Sequence, residues 1–180
     1  RFRHDGTLAF LSSRPADKDA DPEAAGAVQV WAFPESGGEP VPVTDEPLGV
    51  TDFRCATDAD VLALWTTRLP GVAESAWRET VRTGAKQGPT GLHYRSMPVR
   101  FWDHWRPDPR PILVVYDGAE RRILTPDADA EFEHLSWDLA PDGAFVVATW
   151  HRLNADRQHD ADVVRIAVAD GAVDRLLTGD

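Results

Sequence analysis

The 180-residue sequence has one cysteine, Cys55, and only two lysines, Lys18 and Lys86. A single cysteine excludes an internal disulfide and fits a reducing compartment, which favours a cytoplasmic location. With only Arg54 as a nearby cation in sequence, Cys55 is predicted to be a buried structural thiol rather than a nucleophile. Basic residues number 19 against 30 acidic ones, a net charge of −11, which argues against a nucleic-acid partner. No apolar run approaches the roughly 18 residues that a membrane span needs, so no membrane association is expected.

Sequence motifs of catalysis and cofactor binding are also missing. There is no G-x-S-x-G elbow to expose a nucleophilic serine, and no G-x-G-x-x-G or Walker-type loop to hold a nucleotide. Ser12 and Ser13 lie at the end of one predicted strand and Ser136 lies inside another, with no histidine placed beside them by sequence. We therefore expect no catalytic residue and no cofactor in this chain.

What the sequence does contain is a repeated strand pattern, clearest between residues 133 and 180. Turn sequences with Pro-Asp-Gly and Asp-Gly separate short apolar runs, because Pro presets φ and Gly accepts positive φ. The predicted strands are His134 to Leu139, Phe145 to Trp150, Asp162 to Val168 and Val173 to Leu177, with a polar loop at His151 to Ala161. The two inner strands are apolar on both faces, which predicts a sheet covered on both sides.

The same pattern occurs twice upstream. Asp5-Gly6 precedes Leu8 as Asp142-Gly143 precedes Phe145, and each predicted fourth strand ends on a hydrophobic-Thr pair. Four strands per repeat of roughly 40–50 residues indicate an all-β fold: a partial β-propeller of about three four-stranded antiparallel blades, TolB- or WD40-like. The blade-like units span about 1–45, 46–126 and 127–180, with an insertion at about 69–98. Further predicted strands are Val28 to Phe33, Val41 to Thr44 as an edge strand, Val50 to Cys55, Val61 to Thr66 and Ile112 to Tyr116.

Three acidic segments have the composition of metal sites. Segments 17–23 and 127–131 alternate acidic residues, but Pro22 and Phe132 stand where a calcium loop needs glycine. In the 151–162 segment, His151 and His159 do not have zinc-ligand spacing. We expect no metal at any of the three.

The densest aromatic cluster follows the insertion, over Val99 to Trp105. Phe101, Trp102, His104 and Trp105 could line a ligand groove or fill the space between two blades, and both interpretations remain open here. Read as one strand, the segment places Phe101 and His104 on opposite faces. The insertion itself could form a short helix over Ala73 to Thr83, and it could be functional or a covering excursion.

With the repeats laid out, the chain resembles the propeller domain of the prolyl-oligopeptidase (S9) serine peptidases, in the acylaminoacyl-peptidase and dipeptidyl-peptidase-like branch. The matching segments are residues 4–14, Gln29-Val30-Trp31, residues 37–40 and, most specifically, residues 99–105; generic propeller turns at 140–143 and 177–180 add to the match. The resemblance covers essentially the whole chain. It departs at Ala59, where the turn usually has Asp-Gly, and no paired-Glu motif of the dipeptide-trimming relatives is found.

The resemblance implies a non-catalytic propeller segment that gates the access of short peptides to an α/β-hydrolase domain of the same parent chain. That triad-bearing domain is absent from the sequence, so no catalytic residue carries over. The four aromatic-cluster residues would then contribute to the substrate chamber. A non-enzymatic, TolB-like binding module is the alternative. Because Arg1 stands where a translated chain would begin with Met, the sequence looks like a piece of a longer protein, and as an isolated piece we expect it to self-associate.

Overall fold

The computed structural model describes residues 1–14, 27–87, 100–101, 104–105, 109–126, 136–153 and 159–178. These residues form three antiparallel sheets of three or four strands and one two-stranded hairpin, with strands of each sheet ordered as in the chain. The first sheet contains β1 Ala9–Ser12, β2 Gln29–Ala32 and β3 Val41–Pro42. The second contains β4 Val50–Cys55, β5 Val61–Arg68, β8 Arg110–Asp117 and β9 Glu120–Ile123. The third contains β10 Trp137–Leu139, β11 Phe145–Leu153, β12 His159–Ala167 and β13 Val173–Leu177.

The connection between β5 and β8 holds the remaining elements. A 3₁₀ turn at Glu74–Ala76 leads into helix α1, Trp77–Gln87, and strands β6 Arg100–Phe101 and β7 His104–Trp105 form the hairpin. The helix predicted over Ala73 to Thr83 is therefore present and extends further toward its C-terminus. In the described ranges no helix is long and apolar enough to cross a membrane.

Alternating side chains of the middle sheet pack in opposite directions. Ala63, Leu113 and Val115 join a core cluster with the third sheet, whereas Leu64 and Ile112 join one with the first sheet. All five are fully buried. The middle sheet is therefore covered on both faces by its two neighbours, as the apolar composition of its central strands requires.

The third sheet was predicted to be covered on both faces, and the second sheet covers one of them. Val146, Val164 and Ile166 are buried against the second sheet. Phe145 and Val147, on the opposite face, are only half-buried. In the part of the chain that the structure describes, the second sheet packs on one face of the third, and coverage of the other face stays a prediction.

The hydrophobic-Thr pairs have the same role in the first two sheets. The backbone N–H of Val30 donates to Thr44 Oγ1, and that of Leu113 donates to Thr125 Oγ1, each at 2.9 Å and buried. The last strands of these two sheets therefore end earlier than predicted: β3 ends at Pro42 and β9 ends at Ile123. Beyond each end, the threonine hydroxyl accepts the hydrogen bond that a backbone carbonyl would accept in a longer strand. The edge position predicted for the proline-flanked strand is confirmed.

The first unit differs from the others by one residue in its opening turn. Ala56 N donates to Val61 O and Ala140 N to Phe145 O, five residues on, but Arg3 N donates to Thr7 O, only four residues on. The partner of Phe2 is consequently Leu8 rather than Ala9. The predicted equivalence of Leu8 with Phe145 is therefore shifted by one, and Ala9 occupies the position of Ala63 and Val147.

In the polar loop predicted at His151 to Ala161, the residues that the structure describes are strand. β11 continues to Leu153 and β12 begins at His159, and the two are register partners. Antiparallel pairing continues beyond the apolar run because backbone hydrogen bonds do not depend on side-chain polarity.

Candidate functional site

The described residues of the aromatic cluster lie in the β6–β7 hairpin. Phe101 pairs with His104, and Arg100 pairs with Trp105. The single continuous strand assumed from sequence is therefore wrong, because the chain reverses direction within the cluster. Trp102 lies outside the described residues, so its predicted role in a groove or between blades stays a prediction.

The segment before this hairpin is fixed to the sheets by the start of α1. Trp77 is 5% exposed, and its indole Nε1 donates to the backbone oxygen of Val72 at 2.9 Å. The next residue of the helix, Arg78, forms a salt bridge with Asp45, with 2.6 Å between its guanidinium nitrogen and Asp45 Oδ1. Asp45 lies in the link between the first and second sheets, so the insertion contacts the point where these sheets join.

Next to this contact lies a buried carboxylate, Glu46, which is 1% exposed. Its Oε1 accepts hydrogen bonds from the Tyr116 hydroxyl at 2.8 Å and from Arg121 Nε at 2.8 Å. Its Oε2 accepts a second bond from Arg121 at 2.9 Å, so the guanidinium binds the carboxylate in bidentate geometry. Another nitrogen of Arg121 reaches Glu74 at 2.7 Å. We call Glu46, Glu74, Tyr116 and Arg121 the Glu46 cluster.

The backbone of Glu46 is held as tightly as its side chain. The Gln29 side-chain amide donates to Glu46 O and accepts from Glu46 N, both at 2.8 Å. The Thr44 hydroxyl donates to the same amide oxygen of Gln29 at 2.8 Å. The carboxylate is therefore positioned by the first sheet and bound by side chains of the second.

The electrostatics of the cluster indicate an anchor rather than a catalyst. Burial, followed by the nearby Glu46 carboxylate, raises the pKa of Tyr116 to about 12. The hydrogen bond to Glu46 raises the pKa of Arg121 above its usual range. A tyrosine that keeps its proton and an arginine that keeps its charge cannot exchange protons with a substrate near neutral pH. The arrangement instead connects the insertion to the junction of two sheets.

The Glu46 cluster was not predicted from the sequence. Glu46 and Arg121 are 75 residues apart, and neither belongs to a motif with characteristic spacing. The sequence contains only a weak indication of a buried carboxylate. Glu46 lies between an aspartate and a proline, in a link that the repeat pattern places beside a sheet.

The serines considered as nucleophiles have no catalytic partners among the described residues. Ser12 Oγ accepts a hydrogen bond from Arg14 N at 3.3 Å, and the backbone N–H of Ser136 donates to Thr149 Oγ1 at 3.0 Å. Hydrogen bonds between serine hydroxyl and histidine are absent from the part of the chain that the structure describes. Burial raises the pKa of the half-buried Cys55 thiol, which disfavours the nucleophilic thiolate.

Two of the three acidic segments, 17–23 and 127–131, fall outside the described residues. In the third, Asp162 is a fully buried strand residue opposite Trp150, as its predicted strand position requires, with Arg175 Nε 3.6 Å from its Oδ2. Across the described ranges, no group of three or more His, Cys, Asp or Glu side chains is arranged to hold a metal ion.

Comparison of the chain with protein-family models gives no match, and none of the curated proteins matches it either.

Proposed function

We propose that this chain is a propeller segment of an S9-type serine peptidase and that it restricts the access of peptides to a hydrolase domain of the same parent protein. The observation that carries the proposal is the stacking of three consecutive antiparallel sheets, each with its strands in chain order, with the middle sheet buried on both faces. Propellers are built from such units. The family assignment itself rests on the sequence resemblance, above all that of residues 99–105.

The placement of the insertion supports a gating role. Its helix is fixed to the sheets by Trp77, by the Arg78–Asp45 pair and by the Arg121–Glu74 contact. The β6–β7 hairpin follows this anchored helix in the chain. In the proposed function the anchored insertion presents the aromatic cluster to short peptides at the entrance of the chamber.

The catalytic chemistry belongs to the hydrolase domain in this proposal. Peptide hydrolysis by a serine enzyme needs an activated hydroxyl, a base within hydrogen-bond reach and an oxyanion hole. The described serines lack histidine partners, which is the pattern expected of an accessory segment. A TolB-like binding module shares this pattern and is the alternative that the experiment must separate.

The experiment extends the chain through the coding sequence downstream of Asp180 and expresses the longer protein. The proposal expects a G-x-S-x-G segment there, labelling by a fluorophosphonate probe at that serine, and cleavage of short peptides but not of folded proteins. As a matched control, the elbow Ser→Ala variant should neither label nor cleave. A downstream sequence without a hydrolase segment, or a longer protein inert to the probe, favours the TolB-like alternative.

A further inference from the structure

The first and third sheets each have a face that no other sheet of the described chain covers. On the first sheet, Phe2 bridges to Leu8, and Phe33 N donates to Leu8 O at 3.1 Å, so these three residues form a row across the sheet. Their exposed fractions are 71%, 39% and 41%. Phe10 lies in the next row, with its ring 5.7 Å from that of Phe33. We call Phe2, Leu8, Phe10 and Phe33 the first-sheet patch.

The open face of the third sheet is also apolar. Phe145 and Val147 of β11 and Val163 of β12 are half-buried, and Leu177, the register partner of Val163, is 67% exposed. The Arg165 guanidinium covers part of this surface, 4.6 Å from the centre of the Phe145 ring. We call Phe145, Val147, Val163 and Leu177 the third-sheet face.

Because the sheets are repeats, these two surfaces correspond to the two faces that meet where one sheet packs on the next. Ala9, Ala63 and Val147 occupy equivalent positions, since each lies two residues after the residue whose carbonyl closes the opening turn of its unit. Each also pairs with the strand that follows it in its sheet. Ala9 belongs to the core shared with the second sheet, and Ala63 to the core shared with the third. The third-sheet face, which contains Val147, is therefore the kind of face that meets the next sheet.

The first-sheet patch is the opposite kind. It occupies the positions of Leu64 in the second sheet and of Val146 and Ala148 in the third sheet. Leu64 packs on the first sheet, and Val146 and Ala148 pack on the second sheet. One chain thus carries both halves of an interface that it already forms twice internally.

We propose that a second copy of this chain binds head to tail, with the third-sheet face of one copy on the first-sheet patch of the other. Such a contact is heterologous, so two copies can close on each other only by using both surfaces of each. The proposal rests on the sheet stacking and does not depend on the peptidase assignment. Apolar patches of this kind mark interaction surfaces.

The test is sedimentation velocity of the full 180-residue chain and of two single variants, Phe33→Asp in the patch and Leu177→Asp in the third-sheet face. The unsubstituted chain should have at least twice the mass of one copy at tens of micromolar, and each variant should weaken association at least tenfold. A mixture of the two variants should regain heterodimers, because each retains the surface that the other has lost. Val81→Asp, at a 44% exposed position on α1 outside both surfaces, is the matched control and should associate like the unsubstituted chain.

Thermal melting of each variant checks that it is folded, and Phe2→Ser, at the most exposed position of the patch, serves as the patch variant if Phe33→Asp is unfolded. A monomeric unsubstituted chain would overturn the proposal. Loss of association in the patch variant alone would also overturn it, since that result indicates symmetric patch-to-patch pairing, and so would two variants that associate normally.

Discussion

Replacing Arg121 with methionine should be among the most destabilising single changes available in this chain. Glu46 is 1% exposed and receives two of its three side-chain hydrogen bonds from Arg121. Removing the guanidinium leaves a buried carboxylate with the Tyr116 hydroxyl as its remaining side-chain donor in the described structure. Breaking a buried ion pair from one side costs about 3–5 kcal/mol, because the charge that remains is desolvated and uncompensated.

Glu74→Gln is the matched control. It removes another carboxylate that Arg121 contacts, but the Glu74 side chain is 41% exposed. Exposed pairs contribute about 0–1 kcal/mol, so Glu74→Gln should have a small effect. The double variant Glu46→Gln/Arg121→Met should cost less than the sum of its single changes, since it leaves no unpaired charge.

The measurement is urea unfolding followed by tryptophan fluorescence, at a concentration where the chain is monomeric. The chain has seven tryptophans to report on it. The free energy of unfolding of Arg121→Met should be lower by about 3–5 kcal/mol, a large share of the 5–15 kcal/mol typical of a domain. This prediction is refuted if Arg121→Met and Glu74→Gln cost the same, or if the two changes at the buried pair are additive.

Three further predictions concern pH, packing and metals. The raised pKa of Tyr116 means that the folded state holds this proton more tightly than the unfolded state, in which the tyrosine pKa is about 10, so stability should fall as pH rises from about 10 to 12. Tyr116→Phe should reduce that slope in pH-dependent unfolding while costing about 1 kcal/mol at neutral pH. Gly143→Ala should cost about 2–4 kcal/mol in denaturant unfolding, because its φ is +72° and a Cβ would lie 2.7 Å from Val61 Cγ2. Gly118→Ala, with a φ of +57° and no such contact, should cost about 1 kcal/mol. Equal costs would contradict the packing of the second sheet on the third. Calorimetry with Ca²⁺ and Zn²⁺ should detect no one-to-one micromolar site in the three acidic segments, and one such isotherm would overturn that prediction.

Strand positions were readable from the sequence where apolar runs lie between turn residues. Val50–Cys55 and Val173–Leu177 have the predicted bounds, because each lies between clear turn signals. The end of β11 was placed too early and the start of β12 too late, since the polar residues there continue a ladder that only the paired backbone defines. The one-residue shift of the first unit could not be read from its turn, because Asp-Gly occurs in both turns while the hydrogen bonds close at different lengths.

The candidate site was less predictable than the fold. A buried ion pair forms between residues that only tertiary structure brings together, so Glu46 and Arg121 give no local pattern. The aromatic cluster, in contrast, was conspicuous by composition, but its hairpin was not, because a two-residue strand gives no alternation to count.

We propose that these 180 residues are an accessory segment without a catalytic site of their own. The most direct test incubates the purified chain with a fluorophosphonate probe and with aminoacyl and dipeptidyl chromogenic substrates. We expect no labelling and no hydrolysis, because the serines in the described ranges have no histidine partner. Stoichiometric labelling at Ser12, Ser13 or Ser136, lost in the Ser→Ala variant at that position, would contradict it.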